Sequence, residues 1–416
     1  MRVVIHISSL RVGGAEAVAV ALANGLAEAG ARVALAAADG PLAARVSERV
    51  ERIPVDNVNR LPLHAINELR RCIEAFDPQV VHCHGAAGAV AVALATRGAT
   101  RPVRILTHHS RTFWRVHERV AARVLARSAD HFVAISHFKE RQIRSWGVAP
   151  ERITLLPNFL DTVAMAHDTD ATVRQRTRFE LGITDDTPVV CMAGRVIPAK
   201  GFDRFVSIVS RTAAQMHRRV VGVVVGDGSA LGVVKKTAHE LTAQPHSQAD
   251  GQAEQRAEPH VEGQVRAMPV GNGGTGIARV SAGAVPPQRG ASSRFHFTGY
   301  VPDASPWLAA CDAVLFPSSH PEVLPMFLIE AAAAGRPAVV SSIEGNREVV
   351  IDGETGMVVD GDDDAFAGTL SQLLADVERR RTLGESARRR AQRVYDTQVV
   401  VGKTLAVYEN AVRLAR

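Results

Sequence analysis

Two cations and two carboxylates, set in separate loops, have the most chemistry to offer in this 416-residue sequence. The first loop reads Gly194-Arg195-Val196-Ile197-Pro198-Ala199-Lys200-Gly201, between a β-branched run and a helical stretch. Arg195 presents a planar fork and Lys200 a compact point charge, so together they can grip a diphosphate. Each such contact to a leaving diphosphate is worth about 2–4 kcal/mol in a cleft that excludes water. The same two residues would also suit a solvated basic loop. The second loop reads Pro317-Ser318-Ser319-His320-Pro321-Glu322-Val323-Leu324-Pro325-Met326-Phe327-Leu328-Ile329-Glu330-Ala331. Pro325 is suited to the first position of a helix, which puts Glu322 in the loop before it and Glu330 in its second turn. A carboxylate among Phe327, Leu328 and Ile329 needs donors, and sugar or ribose hydroxyls can supply them.

Gly13-Gly14 falls where a first strand, Val3 to Ile7, turns into a helix. Glycines there let the backbone approach an anion at the helix N-terminus, or simply make a tight strand-to-helix turn. The dinucleotide signature G-x-G-x-x-G and its later ribose-binding acid are missing, which disfavours a dehydrogenase. Thr107-His108-His109-Ser110 sets two imidazoles at a strand end, as ligand contacts or as hydrogen-bonded loop anchors. No cofactor or metal is expected. Asp362-Asp363-Asp364 reads as a helix cap before Ala365. His82-Cys83-His84 offers two imidazoles on one strand face without further ligands nearby, and reads as strand-end packing.

The elements that position these groups alternate short β-branched runs with longer Ala-rich stretches of helical period, the rhythm of βαβ units and parallel sheets. Two α/β domains follow from the length and the supply of apolar residues. The first spans 1–160, a polar linker with a short helix spans 161–187, and the second spans 188–398. Residues 242–293, rich in Gln, Ala, Gly, Pro, Glu and Arg and poor in large apolar residues, read as a disordered insertion. Two amphipathic stretches follow Ala365, the last a helix over 399–416 that would cross back to the first domain.

The formal charge is only +6, but acidic and basic residues are unevenly placed and Arg accounts for most of the basic excess in the first 160 residues, so that half leans towards an anionic partner. Arg111, Arg115, Arg119, Arg123 and Arg127 recur every fourth residue after Thr112-Phe113-Trp114, in a helix expected over 112–128. Such a stripe could dock on an anionic membrane, or be a solvated helix face. No nucleic-acid motif accompanies the charge, so no nucleic-acid partner is expected. Cys72, Cys83, Cys191 and Cys311 form no C-x-x-C pair, which with the lack of a leader or a spanning segment fits a cytoplasmic protein, one that could sit at the inner face of the membrane.

Gly13-Gly14, Arg195 with Lys200, the Glu322 and Glu330 pair, Gly299-Tyr300-Val301 and Asp352-Gly353-Glu354-Thr355-Gly356 together resemble the retaining glycosyltransferases of family 4, with the GT-B fold. The likeness covers nearly the whole chain except the insertion. It implies two Rossmann-like domains facing a cleft, a nucleotide diphosphate sugar as donor and a glycan or lipid-linked acceptor, in cell-surface polysaccharide synthesis. By the same resemblance Arg195 and Lys200 hold the donor diphosphate, Glu330 the ribose hydroxyls, and Glu322 faces the sugar. The backbone around Tyr300 and Val301 contacts the base, Leu324 and Pro325 flank the donor, and Gly13 with Gly14 lets a phosphate or acceptor approach. His109 lies near the sugar, with His108 as its neighbour. The sequence departs from the family's pattern in three places: Val323 replaces the Gly that often follows the first Glu, the glycine-rich donor loop reads Ile343-Glu344-Gly345-Asn346-Arg347-Glu348, and the insertion falls where the family normally has a short helix-to-strand link. A nucleotide-sugar epimerase of the same fold, and a non-catalytic nucleotide-sugar binding protein, are the alternatives.

Overall fold

The computed structural model describes residues 1–97, 102–109, 118–183, 186–243 and 295–415. The first sheet has seven parallel strands: β1 (Arg2–Ser9), β2 (Arg32–Ala38), β3 (Val50–Pro54), β4 (Val80–His84), β5 (Val103–Thr107), β6 (His131–Ala134) and β7 (Ile153–Leu155). Their order is β3-β2-β1-β4-β5-β6-β7. Helices cover both faces, so the central strands are buried on both sides and read as nearly continuous apolar runs. The second sheet has six parallel strands: β8 (Val189–Ala193), β9 (Val221–Val225), β10 (Phe295–Gly299), β11 (Ala313–Phe316), β12 (Ala338–Ser341) and β13 (Gly356–Val359). Their order is β10-β9-β8-β11-β12-β13.

In each sheet the winding reverses once, at β1/β4 and at β8/β11. A crevice opens beyond the carboxyl ends of the strands at such a switch point. The topology therefore gathers the loops that carry chemistry. The Gly194–Gly201 segment follows β8 and the Pro317–Pro325 segment follows β11, while Gly13-Gly14, His84 and Thr107-His108-His109 sit at the matching end of the first sheet. Met326 packs against the cores of both sheets and joins the two lobes.

Residues 161–187 are more than a polar linker. Helices Thr162–Asp168 and Ala171–Glu180 carry Asp161 and Asp170 as N-caps. They dock on the second lobe through two arginines. The Arg174 guanidinium donates to the carbonyls of Ala309, Ala310 and Cys311 and pairs with Asp312 at 2.6 Å. Arg178, 1% exposed, donates to the carbonyls of Ala310 and Thr187. Both cations thus satisfy the open C-terminal carbonyls of helix Ser305–Ala310.

Three helices, not two, end the chain: Asp363–Ala375, Val377–Val394 and Thr397–Ala415. Asp376 makes the extra break by capping the second of them, accepting from Arg379 N at 2.8 Å. The last helix crosses to the first lobe and packs on helix Gly14–Glu28, so tightly that a Cβ on Gly25 would lie 2.7 Å from Val401 Cγ2. The Asp triplet is a cap with two ion pairs. Asp362 accepts from the N–H groups of Asp364 and Ala365, while Asp363 and Asp364 pair with Arg204 and Arg211.

The insertion expected over 242–293 lies outside the described residues apart from the end of helix Leu231–Ala243. Of the helix expected over 112–128, the described part is Glu118–Ser128, where Arg123 and Arg127 are exposed; Arg111, Arg115 and the Arg119 side chain lie outside the description. Among the described residues no helix is long and apolar enough to cross a membrane.

Candidate active site in the interlobe cleft

The basic loop and the acidic loop meet. Lys200 ends a short 3₁₀ turn, Pro198–Lys200, and its Nζ donates to Glu322 Oε1 at 2.7 Å while lying over the Phe316 ring. Gly201 makes the approach possible. Its φ of +77° is open to glycine, and a Cβ there would lie 2.5 Å from the Pro317 carbonyl oxygen. Arg195, two residues beyond β8, is exposed, and its guanidinium has no partner among the described residues. One cation is therefore held by a carboxylate and the other is free to turn towards a ligand.

Helix Met326–Ala333 begins one residue later than expected. Pro325 is its N-cap, with ψ of 119°, rather than its first helical residue. Glu330 keeps its place in the second turn, half-buried between Ile329 and Ala331, its carboxylate without a hydrogen-bond partner among the described residues. Burial, with a smaller push from Asp303, raises its carboxyl from 4.5 to about 7, against the pull of Arg45. A half-buried acceptor without donors is a place for hydroxyl groups. Leu324 and Pro325 are buried, Tyr300 is 55% exposed, and Val301 packs partly on the core beside Gly299, whose φ is +68°.

The lobes touch across this region. A Cβ on Gly14 would sit 3.3 Å from Met326 Cγ, so the glycine admits the opposite lobe. Gly13 is the extended N-cap of helix Gly14–Glu28, and the Glu16 carboxylate folds back over it, filling the place a Cβ there would take. Arg45 donates to the Pro302 carbonyl at 2.8 Å from the first lobe. The Glu348 carboxylate accepts from the N–H groups of His137 and Phe138, capping helix His137–Ser145, and Glu344 pairs with Arg141. The segment that departs from the family's glycine-rich loop thus clasps the two lobes.

On the first lobe, His109 belongs to a cluster. Its Nε2 lies 2.9 Å from His84 Nδ1, the two rings stack at 5.2 Å, and His84 stacks on His82 at 4.7 Å. His82 in turn hydrogen-bonds Tyr408 OH at 2.5 Å and Thr107 Oγ1 at 2.7 Å. His108 points the other way, with Nδ1 2.9 Å from the buried Lys139 Nζ and the ring edge-on to Trp146. Burial lowers His6 and His109 to about 4 and His82 and His108 to about 3, and takes His84 well down, so all five rings are uncharged at neutral pH. The cleft therefore has a charged wall and a neutral, polar wall. Sequence reasoning missed Arg45, Lys139 and the partnership of His82 and His84 with His109, because each depends on contacts between distant segments.

Comparison with known proteins agrees with this geometry. A model described as Glycosyltransferase Family 4 matches residues 12–164, and two described as Glycosyl transferases group 1 match residues 173–267 and 255–376. The chain is 29% identical over 356 residues, 83% of its length and 80% of the relative's, to the GDP-mannose-dependent alpha-(1-6)-phosphatidylinositol monomannoside mannosyltransferase of Mycolicibacterium smegmatis. It is 28% identical over 209 residues, half of this chain and 46% of the relative, to the lipopolysaccharide core biosynthesis glycosyltransferase LpsE of Rhizobium meliloti. The structure of Anabaena HepE in complex with UDP-glucose aligns with a TM-score of 0.73 at 19% identity, covering 98% of this chain and 100% of that one. These matches, with the two parallel sheets, make the chain a family 4-like glycosyltransferase of the GT-B fold.

Proposed function

We propose that the enzyme is a retaining hexosyltransferase that moves a sugar from a nucleoside diphosphate donor to a glycan or lipid-linked acceptor in the building of a cell-surface glycoconjugate. The observation that carries this reading is the Lys200–Glu322 pair beside a free Arg195, in loops at the same switch point, next to the helix that meets Gly14 of the other lobe. In this reading Arg195 and Lys200 take the diphosphate, and Glu330 accepts from the ribose. Glu322, held by Lys200, turns its remaining oxygen to the sugar, and His109 faces the sugar from the opposite wall. The backbone at Tyr300 and Val301, with Leu324 and Pro325, frames the base.

The bond from C1 to the phosphate oxygen breaks as the two cations take up the charge of the departing diphosphate. The acceptor hydroxyl forms its bond to C1 on the face the diphosphate leaves, and its proton passes to the leaving phosphate oxygen. Alignment and water exclusion by the closed lobes supply the rest. Retention is supported by a relative whose name specifies an alpha linkage. That name also puts GDP-mannose first among donors to try, and the HepE complex puts UDP-glucose second. Peripheral contact with an anionic membrane through the exposed Arg123 and Arg127 belongs to the same proposal.

The test is a thermal-shift screen of UDP, GDP and ADP sugars, followed by NMR of the product formed from the stabilising donor. Transfer with the donor's anomeric configuration kept is the expected result. An inverted product, an epimerised donor, or nucleotide binding without turnover would overturn it.

A further inference from the structure

Four imidazoles converge beneath the first lobe's side of the cleft, His6 from β1, His82 and His84 from β4, and His109 just past β5. A neutral imidazole carries one N–H and one bare nitrogen, so a contact between two rings at 2.9 Å requires one to donate and the other to accept. Which does which follows from what surrounds the pair. His84 Nε2 is fully buried and has no hydrogen-bond partner among the described residues. Were the His84 proton there, a buried N–H would be orphaned, the rarer fault in folded proteins.

We infer that His84 is a positioning residue: it donates Nδ1–H to His109 Nε2 and so locks His109 as the tautomer with its proton on Nδ1. The rest of the cluster holds His84 in place. His82 stacks on it and is pinned by Tyr408 and Thr107, and Gly88 leaves room for the His6 ring, whose Cδ2 would be 3.0 Å from a Cβ there. His109 then offers a ligand one hydrogen-bond donor and no acceptor. A donor-sugar hydroxyl that meets it must accept. This last consequence rests on the placement of His109 proposed above; the tautomer does not.

The experiment is long-range proton–nitrogen spectroscopy of the enzyme with 15N-labelled histidine at neutral pH, with the His109 signals assigned from their loss in His109→Gln. The expected spectrum has His109 Nδ1 protonated and Nε2 bare. The reverse assignment in the unmodified enzyme would overturn the inference without need of any variant. His84→Leu should convert His109 to a mixture of tautomers and raise the KM for the donor about five- to tenfold with a smaller change in kcat. His84→Asn, whose amide nitrogen stands near the place of Nδ1, should restore both. An unchanged His109 tautomer in His84→Leu would also overturn it. If the spectra match expectation but His109→Gln leaves the donor KM unchanged, the tautomer stands and the placement of His109 against the sugar falls.

Discussion

The two walls of the cleft solve the problem of polar groups near a core in opposite ways. The second lobe holds Lys200 and Glu322 as an ion pair, leaves Arg195 exposed, and keeps Glu330 half-buried without donors, its carboxyl raised to about 7. The first lobe buries its groups and strips them of charge, linking His109, His84 and His82 by hydrogen bonds and ring stacking down to Tyr408. A charged wall can meet a diphosphate whose charge grows as the bond breaks. A neutral wall can orient hydroxyls without competing for that charge. In the proposed reading the chemistry is divided between the lobes, which the contacts of Arg45, Glu344 and Glu348 join.

The comparison breaks most plainly at Lys200. Lys200→Ala should lower kcat/KM by about 10²–10³-fold, the usual cost of losing one preorganised charge contact to a leaving group. Steady-state kinetics with the best donor checks it, and a near-normal rate would mean that the charged wall does not bear on the leaving diphosphate.

Glu330 sharpens the contrast through pH. Its folded pKa of about 7 lies above the ordinary 4.5, so between those values the folded enzyme holds a proton that the unfolded chain lacks. Stability therefore falls as pH rises from about 4.5 to about 7 and levels off above that. Glu330→Gln should remove this slope and, at alkaline pH, gain on the order of 1–2 kcal/mol over the unmodified enzyme, measured by urea unfolding. The same change should raise the donor KM about tenfold. The unmodified enzyme should bind donor more tightly as pH rises through about 7, where the carboxylate forms.

Smaller effects belong to the neutral wall and the lobe contacts. Tyr408→Phe leaves His82 Nδ1 buried without its partner and should cost about 1–3 kcal/mol in urea unfolding. Arg45→Ala removes one exposed contact, to Pro302, and should raise the donor KM about two- to fivefold with little change in unfolding. A larger effect of Arg45→Ala than of Lys200→Ala would invert the comparison.

The two walls also differ in how far they could be read from sequence. The charged wall lies in two short stretches, 194–201 and 317–331, each bounded by strand and helix signals, so residue types and spacing were visible together. The shift of Pro325 from first helical residue to N-cap is the scale of error expected where only local preferences speak. The neutral wall is assembled by strand order. His6, His82 and His109 lie far apart in the chain and meet because β1, β4 and β5 are neighbours, so His82 and His84 read as packing when taken alone. The docking of 161–187 was hidden for a similar reason, since Arg174 and Arg178 look like solvent-facing charges until the end of helix Ser305–Ala310 is placed against them.

The most direct test is a crystal structure with the stabilising nucleoside diphosphate bound. It should show the pyrophosphate within hydrogen-bond distance of both the Arg195 guanidinium and Lys200 Nζ, with Glu330 accepting from the ribose. A nucleotide seated elsewhere, with Arg195 still in solvent and Lys200 engaged only with Glu322, would contradict the division of labour between the walls.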